Sequence, residues 1–333
     1  MTRLAIRRLA CGPWLSLAAA ALLLAVLPAL FASSAALNFL GFVMVIALAA
    51  LGWNLLAGYG GQFSFGHAAF FGMGAYAMAL LQVRLGLNPW LALPVAVALG
   101  GLTGLATGFL SFRAGLRGSY FALVTLAFAE VFRILANAMA FTGGAAGVLV
   151  PLRIGAAQFQ FADKATFYWV ALGFVIAAMA LTRLVERSRF GAQLVAVREN
   201  EEAARALGVD TVRVKLKAIT LSGAVTAAAG CLYAQKSLYL DANIAFGPWI
   251  SVEALLAPII GGLGTVFGPL AGTFLLLGLG EGTKTLLATL TGSAVPGADL
   301  VLFGALLILA VAFAPRGIMG VVAGAAARIG GAR

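Results

Sequence analysis

Polar positions along the 333 residues gather into short clusters separated by long apolar runs. A run of about 20 such residues is the length that carries a helix across the hydrocarbon core of a bilayer. Ten runs have this character, at roughly 13–31, 36–57, 64–83, 90–111, 118–139, 165–183, 216–235, 245–262, 265–290 and 298–314. The third and eighth are glycine-rich and poorly bounded, which leaves open whether either is broken or re-entrant. The first follows Arg3, Arg7 and Arg8, as a secretory signal does. Ser33-Ser34-Ala35-Ala36 is only a fair cleavage site, so a retained span is preferred over a cleaved signal. The expected fold is all-α, a polytopic transmembrane bundle of about ten spans. It is read as a single domain over 1–320, with a polar loop at 184–216 and a tail at 321–333.

Composition agrees with lipid as the solvent. Hydrophobic residues make up 62% of the chain and charged residues 10%, and mean hydropathy is +1.04. A soluble chain of this size needs more polar surface. Forty-two glycines suit helices packed closely in a membrane. Cys11 and Cys231 are too few for a disulfide framework or a thiolate metal site.

A net charge of +11 would suggest nucleic acid for a soluble domain, but its placement argues against that partner. With the N-terminus inside, one side holds sixteen basic residues: Arg3, Arg7, Arg8, Arg113, Arg117, Arg183, Arg187, Arg189, Arg198, Arg205, Arg213, Lys215, Lys217, Arg316, Arg328 and Arg333. The other side holds five, Arg84, Arg153, Lys164, Lys236 and Lys284, while Arg133 lies within a span. Cytoplasmic loops accumulate Lys and Arg, so both termini are expected in the cytoplasm.

The one long polar segment, 183–217, contains a short helix with clear boundaries. Asn200 is a good N-cap. Glu201 and Glu202 complement the positive end of the helix dipole, and Arg205 the negative end. Gly208 suits the left-handed closing position. The helix would display Ala203, Ala204, Ala206 and Leu207. It is too short to stand alone in water and needs a surface to pack on. Two readings stay open: an amphipathic helix resting on the membrane, or a docking helix for a cytoplasmic partner.

Glu202-Ala203-Ala204, three residues, then Gly208 resembles the EAA signature of bacterial ABC-importer permeases. That pattern continues to Ile-x-Leu-Pro, where this chain has Ile219-Thr220-Leu221-Ser222, one residue late and with Ser for Pro. The run Gly61-Gln62-Phe63-Ser64-Phe65-Gly66-His67-Ala68-Ala69-Phe70-Phe71-Gly72-Met73-Gly74-Ala75-Tyr76 is similar to a signature of branched-chain amino-acid ABC transporter permeases of the LivM type. So are Arg117-Gly118-Ser119-Tyr120-Phe121-Ala122-Leu123-Val124-Thr125-Leu126-Ala127-Phe128, Ser188-Arg189-Phe190-Gly191, Gly261-Gly262-Leu263-Gly264-Thr265 with Gly268-Pro269, and Pro315-Arg316-Gly317.

The resemblance implies an ABC-importer permease architecture in the bacterial inner membrane. Its expected partners are a second permease of the LivH type, two cytoplasmic ATP-binding subunits and a periplasmic substrate-binding protein. It further implies that Glu201, Glu202, Ala203, Ala204, Arg205, Leu207 and Gly208 form the coupling helix seated against an ATPase. Leucine, isoleucine and valine are the implied cargo, with urea, amides or other amino acids as alternatives. No cofactor is implied, and ATP hydrolysis would belong to other chains.

The translocation path has weaker signals. Gly58, Gly60 and Gly61 interrupt the helical pattern, and irregular backbone at membrane depth must line a cavity or be buried in protein. Gln62, Ser64 and His67 would then offer polar contacts near a helix N-terminus, or else form a tight, closely packed turn. Glu130 reads as the only acidic residue well inside a span, with Arg133 one turn later as its partner or as a neighbour on the path. Thr125, and Thr142 at the outer mouth, complete the candidates. Gly100, Gly104 and Gly108, and separately Gly264, Gly268 and Gly272, each form a flat packing face. Gly278-Leu279-Gly280-Glu281-Gly282-Thr283-Lys284-Thr285 nearly spells a phosphate loop, but Thr283 stands in place of the second glycine and no strand precedes it. A passive channel would leave the capped helix unexplained. An intramembrane enzyme is disfavoured because His67 is the sole histidine, which excludes multi-histidine metal sites, and Ser64 lies too close to it on one segment.

Overall fold

The structure is a computed structural model that describes residues 13–31, 33–291, 297, 301, 304–305 and 317–320. The run at 298–314 as a span, Cys11, the basic residues 3, 7, 8, 316, 328 and 333, and the tail 321–333 lie outside the described residues.

The described chain is helical almost throughout. Helix α1 (Pro13–Leu30) leads to α2 (Ser34–Asn54), which continues into a π-helical turn at Leu55–Tyr59. Then come α3 (His67–Leu85), α4 (Pro89–Arg113), α5 (Gly118–Ala138) and α6 (Lys164–Arg187). Two short helices, α7 (Arg189–Glu199) and α8 (Glu201–Ala206), precede α9 (Thr211–Ser237). Helices α10 (Ala242–Ala245), α11 (Pro248–Gly261) and α12 (Gly268–Thr291) follow. A two-residue strand β1 (Val148–Leu149) pairs antiparallel with β2 (Tyr239–Leu240).

Local chemistry sets most boundaries. Side-chain oxygens of Ser33, Asn88, Asp163 and Asp210 accept from the first-turn amides of α2, α4, α6 and α9, satisfying donors that a helix leaves free. Pro89 and Pro248 open α4 and α11, where a missing N–H costs nothing.

Seven segments of the described chain are long and apolar enough to cross a membrane, rather than the expected ten: Ser34–Tyr59, His67–Leu85, Pro89–Arg113, Gly118–Ala138, Lys164–Arg187, Thr211–Ser237 and Ala242–Gly261. Helix α1 is described only from Pro13, and its apolar stretch, Trp14–Leu30, is shorter than these seven. In α12, Glu281, Lys284 and several glycines and threonines dilute the apolar character. The third expected span is an unbroken helix, whereas the eighth is broken between α10 and α11 at Phe246 and Gly247.

Helix α9 forms the centre of the bundle and packs against α2, α3 and α4. Small residues allow this. A Cβ added at Gly104 would stand 2.6 Å from the Ile219 carbonyl oxygen, and one at Gly223 2.7 Å from that of Gly100. Gly268 and Gly272 bring α12 against Gly262 and Ala257 in the same way. Gly264, however, precedes α12 in a loop and approaches Gly58 instead, so the second expected packing face loses a member. Leu102, Leu110, Leu123 and Tyr120 remain exposed on α4 and α5, as expected where lipid replaces water.

The alternation of helices gives the bundle two ends. At one, α2, α4 and α6 finish, α3, α5 and α9 begin, and α7 and α8 pack against them. The β1–β2 pair marks the other. The near-phosphate-loop motif at 278–285 is continuous helix within α12, so it forms no loop.

Candidate functional site

The α7–α8 segment folds as its capping residues dictate. Asn200 Oδ1 accepts from the Ala203 amide at 3.0 Å, and Gly208 adopts φ +86°, a conformation that a residue with Cβ resists. Glu201 anchors the helix to the bundle. Its Oε1 accepts from Lys215 Nζ at 2.9 Å, Thr211 Oγ1 at 3.1 Å and Arg205 Nη2 at 3.2 Å. Arg117 Nε lies 3.5 Å from Oε2. Lys215, with its side chain 3% exposed, also sits 4.9 Å from the Phe112 ring centroid.

Burial raises the Glu201 pKa more than any other single influence. The hydrogen bond and charge of Lys215, with help from Arg117 and Thr211, outweigh it and hold the carboxyl below its ordinary value.

Most of α8 is nonetheless open to solvent. Glu202, Ala203, Arg205, Ala206, Leu207 and Gly208 are exposed, Leu207 at 85%. Ala204, expected on display, is buried instead, because a three-residue step places it on the Glu201 side of the helix.

A second polar cluster lies where α2 breaks and α3 begins. Residues 60–66 run without regular helix. Asn54 pins this break to the loop before α12: its Nδ2 donates to the Thr265 carbonyl at 3.0 Å, and its Oδ1 accepts from the Gly264 amide at 2.9 Å. Arg198 of α7 donates from Nη1 to the Gly58 carbonyl at 2.9 Å. Gly61, at φ +67°, faces Arg198 so closely that an added Cβ would stand 2.7 Å from its Cγ.

The amides at the start of α3 already have partners. Ala68 N–H donates to Ser251 Oγ at 2.9 Å, Gly66 N–H to Ser64 Oγ at 3.2 Å, and Phe65 N–H to Thr125 Oγ1 at 3.2 Å. Ser222 donates to the Gly52 carbonyl at 2.7 Å, and its Oγ lies 2.8 Å from His67 Nε2. A hydroxyl has one proton, so His67 must donate from Nε2. Its Nδ1 is buried without a hydrogen-bond partner among the described residues.

The structure therefore brings Ser64, His67 and Thr125 together, all buried. Gln62 lies beside them but bonds back to the Gly60 carbonyl. Glu130 and Thr142 lie apart from this cluster. Arg133 grips Glu130 through Nε and Nη2, at 2.9 and 2.5 Å, and reaches Asn243 through Nη1. Thr142, beyond the end of α5, shares its one hydroxyl proton between the Ala136 and Met139 carbonyls.

Sequence reasoning missed the roles of Asn54, Arg198 and Lys215, whose partners lie 14 to 211 residues away. It also misjudged Glu130 as the only acid inside a span. Glu253 lies in α11, with Oε2 buried and without a hydrogen-bond partner among the described residues, and its place in the eighth apolar run was the available signal.

Among the described residues no His, Cys, Asp and Glu cluster could hold a metal. The chain is a multi-pass membrane protein whose polar chemistry joins an inner helix break to an exposed, capped helix at one end of the bundle. A family model described as branched-chain amino acid transport system / permease component matches residues 35–311, and the chain belongs to that family. It is 31% identical over 282 residues to the high-affinity branched-chain amino acid transport system permease protein LivM of Escherichia coli, covering 78% of this chain and 66% of that protein. For LivM of Salmonella typhimurium the identity is 31% over 258 residues, covering 70% and 60%. The chain thus spans slightly under two thirds of the length of these two relatives. For LivH of Escherichia coli it is 26% over 290 residues, covering 82% and 91%.

Proposed function

We propose that this chain is the membrane-spanning permease subunit of an ATP-driven importer and translocates branched-chain amino acids delivered by a periplasmic binding protein. A second, LivH-type permease and two cytoplasmic ATP-binding subunits complete the assembly. The chain itself is a transporter subunit and not an enzyme. It lies in the bacterial inner membrane with both termini and the 184–216 loop in the cytoplasm, as the concentration of basic residues at that end supports. The relatives, branched-chain amino acid permeases by name, support branched-chain amino acids over urea, amides or other amino acids.

One observation carries the reading. Helix α8 is fixed to the bundle by Glu201 while Glu202, Ala203, Arg205, Ala206 and Leu207 remain open to a partner. The Arg198–Gly58 hydrogen bond then links the segment carrying α8 to the helix break. Motion of α8 driven by an ATPase would reach the break as movement of a connected body. In this reading Gln62, Ser64, His67 and Thr125 border the inner part of the path and meet substrate once the break moves, and Glu130 and Thr142 border its outer part.

Gly208→Pro or Glu202→Lys is expected to abolish ATP-dependent leucine uptake while membrane insertion stays normal. Full uptake by both variants would remove the coupling assignment. Glu130→Gln with unchanged uptake and stability would take Glu130 off the path.

A further inference from the structure

At the β1–β2 end of the bundle a cavity of about 240 Å³ opens between the first turns of α2 and α6, the last turn of α9 and the 152–162 segment. Lys164 and Lys236 both line it. Lys164 Nζ donates to Ser34 Oγ at 2.6 Å, and Lys236 Nζ to Asn38 Oδ1 at 2.6 Å. Neither ammonium forms an ion pair with a carboxylate among the described residues. Two of the five basic residues on the sparsely basic side thus meet at one cavity. Like charges that share a cavity repel, and an anion between them offsets that repulsion.

Gln235 supplies an independent observation. It lines the same cavity and is 4% exposed, yet among the described residues neither its amide nitrogen nor its carbonyl oxygen has a hydrogen-bond partner. Buried polar groups nearly always have one, because desolvation without compensation is costly. Its neighbour Gln160 is fully engaged, accepting from Arg153 N–H and donating to the Pro151 carbonyl. Gln235 thus lines the cavity shared by Lys164 and Lys236, neither of which pairs with a carboxylate among the described residues. On the rim, Leu152 and Ile154 are exposed.

We propose that this cavity binds a phosphate-bearing anion, with Lys164, Lys236 and the Gln235 amide donating to its oxygens. The apolar rim suits a phosphate carried on a lipid better than the free ion. The site lies at the opposite end of the bundle from α8 and stands apart from substrate translocation.

The test uses the purified full chain in zwitterionic detergent and follows its thermal midpoint. Phosphatidylglycerol, phosphatidylcholine and inorganic phosphate are titrated separately. A saturable rise with phosphatidylglycerol but not phosphatidylcholine is expected, and a rise with inorganic phosphate alone would support the site with the free ion as its source. The double variant Lys164→Gln/Lys236→Gln should weaken the phosphatidylglycerol response by at least about tenfold, while Lys164→Arg/Lys236→Arg should retain it. Gln235→Met should raise the midpoint of the lipid-free protein by about 1–3 °C yet diminish the lipid response. The proposal is overturned if neither phosphate source shifts the midpoint, or if the charge-neutral double variant responds as the parent does.

Discussion

Glu201 and Lys215 are a nearly buried pair whose two halves should not be equally expendable. In Glu201→Gln, the Lys215 ammonium stays 3% exposed beside Phe112 with no remaining counter-charge. Breaking a buried pair from one side costs about 3–5 kcal/mol. Glu201 is 13% exposed at the edge of solvent, so screening reduces the expected cost to about 2–3 kcal/mol. In Lys215→Met, Glu201 keeps Arg205 at 3.2 Å, Arg117 at 3.5 Å and Thr211 at 3.1 Å, and the methionine packs on the Phe112 ring. That variant should lose only about 1 kcal/mol. The double variant should be little worse than Lys215→Met alone, which gives a coupling energy of about 2 kcal/mol. For a chain of this length, 2–3 kcal/mol is a shift in thermal midpoint of about 3–4 °C. The assay is reversible unfolding of the purified protein in detergent across the full cycle. Equal losses in the two single variants, adding in the double, would refute the claim that Glu201 exists to neutralise a buried lysine.

Other consequences follow from the same contacts. The Glu201 carboxyl is held below its ordinary value, so its stabilising contribution is present above the unfolded value of about 4.3 and is lost as pH falls through the lower folded value. Acid unfolding should therefore begin at the α8 segment, and Glu201→Gln should flatten the pH dependence of stability in that range. Asn54→Ala leaves the Gly264 amide and Thr265 carbonyl without these bonds and should cost about 1–3 kcal/mol, measured as a lower thermal midpoint. Asn200→Ala removes the cap of α8 and should increase amide exchange at Ala203 by about fivefold, the equivalent of about 1 kcal/mol.

What was legible in the sequence was local. The Asn200 cap, the left-handed Gly208 and the ends of most long helices depend on residues within four positions of one another, and these read correctly. The path of each helix through the bundle does not. Ala204 was placed on the open face because its composition matched its neighbours, and only the anchoring of Glu201 by Lys215 decides which side faces inward. Gly264 fitted a four-residue spacing with Gly268 and Gly272, yet Asn54 holds it in a loop from 210 residues away. Lys215 counted only as one more basic residue favouring the cytoplasm, because nothing in its own surroundings names Glu201 as a partner. The count of spans erred for a different reason. The run at 298–314 lies outside the described residues, α1 is described only from Pro13, and glycines, threonines and two charges dilute the apolar character of α12.

The two polar clusters have one physical logic. A helix interrupted inside a bilayer frees backbone groups that lipid cannot satisfy, so much of the hydrogen bonding around the break of α2 is supplied from other elements. Thr125 comes from α5, Ser251 from α11 and Ser222 from α9, while Asn54 reaches the loop before α12 and Arg198 enters from α7. Five elements therefore converge on a few residues, and a shift of any one of them alone would leave polar groups unpaired. A break bound in this way resists small deformations and moves only when its partners move together. Arg198 is the member of that set carried by the segment that also presents α8, and Glu201 ties α8 to the first turn of α9. The exposed helix and the buried break are thus mechanically continuous, a stronger link than proximity in sequence provides.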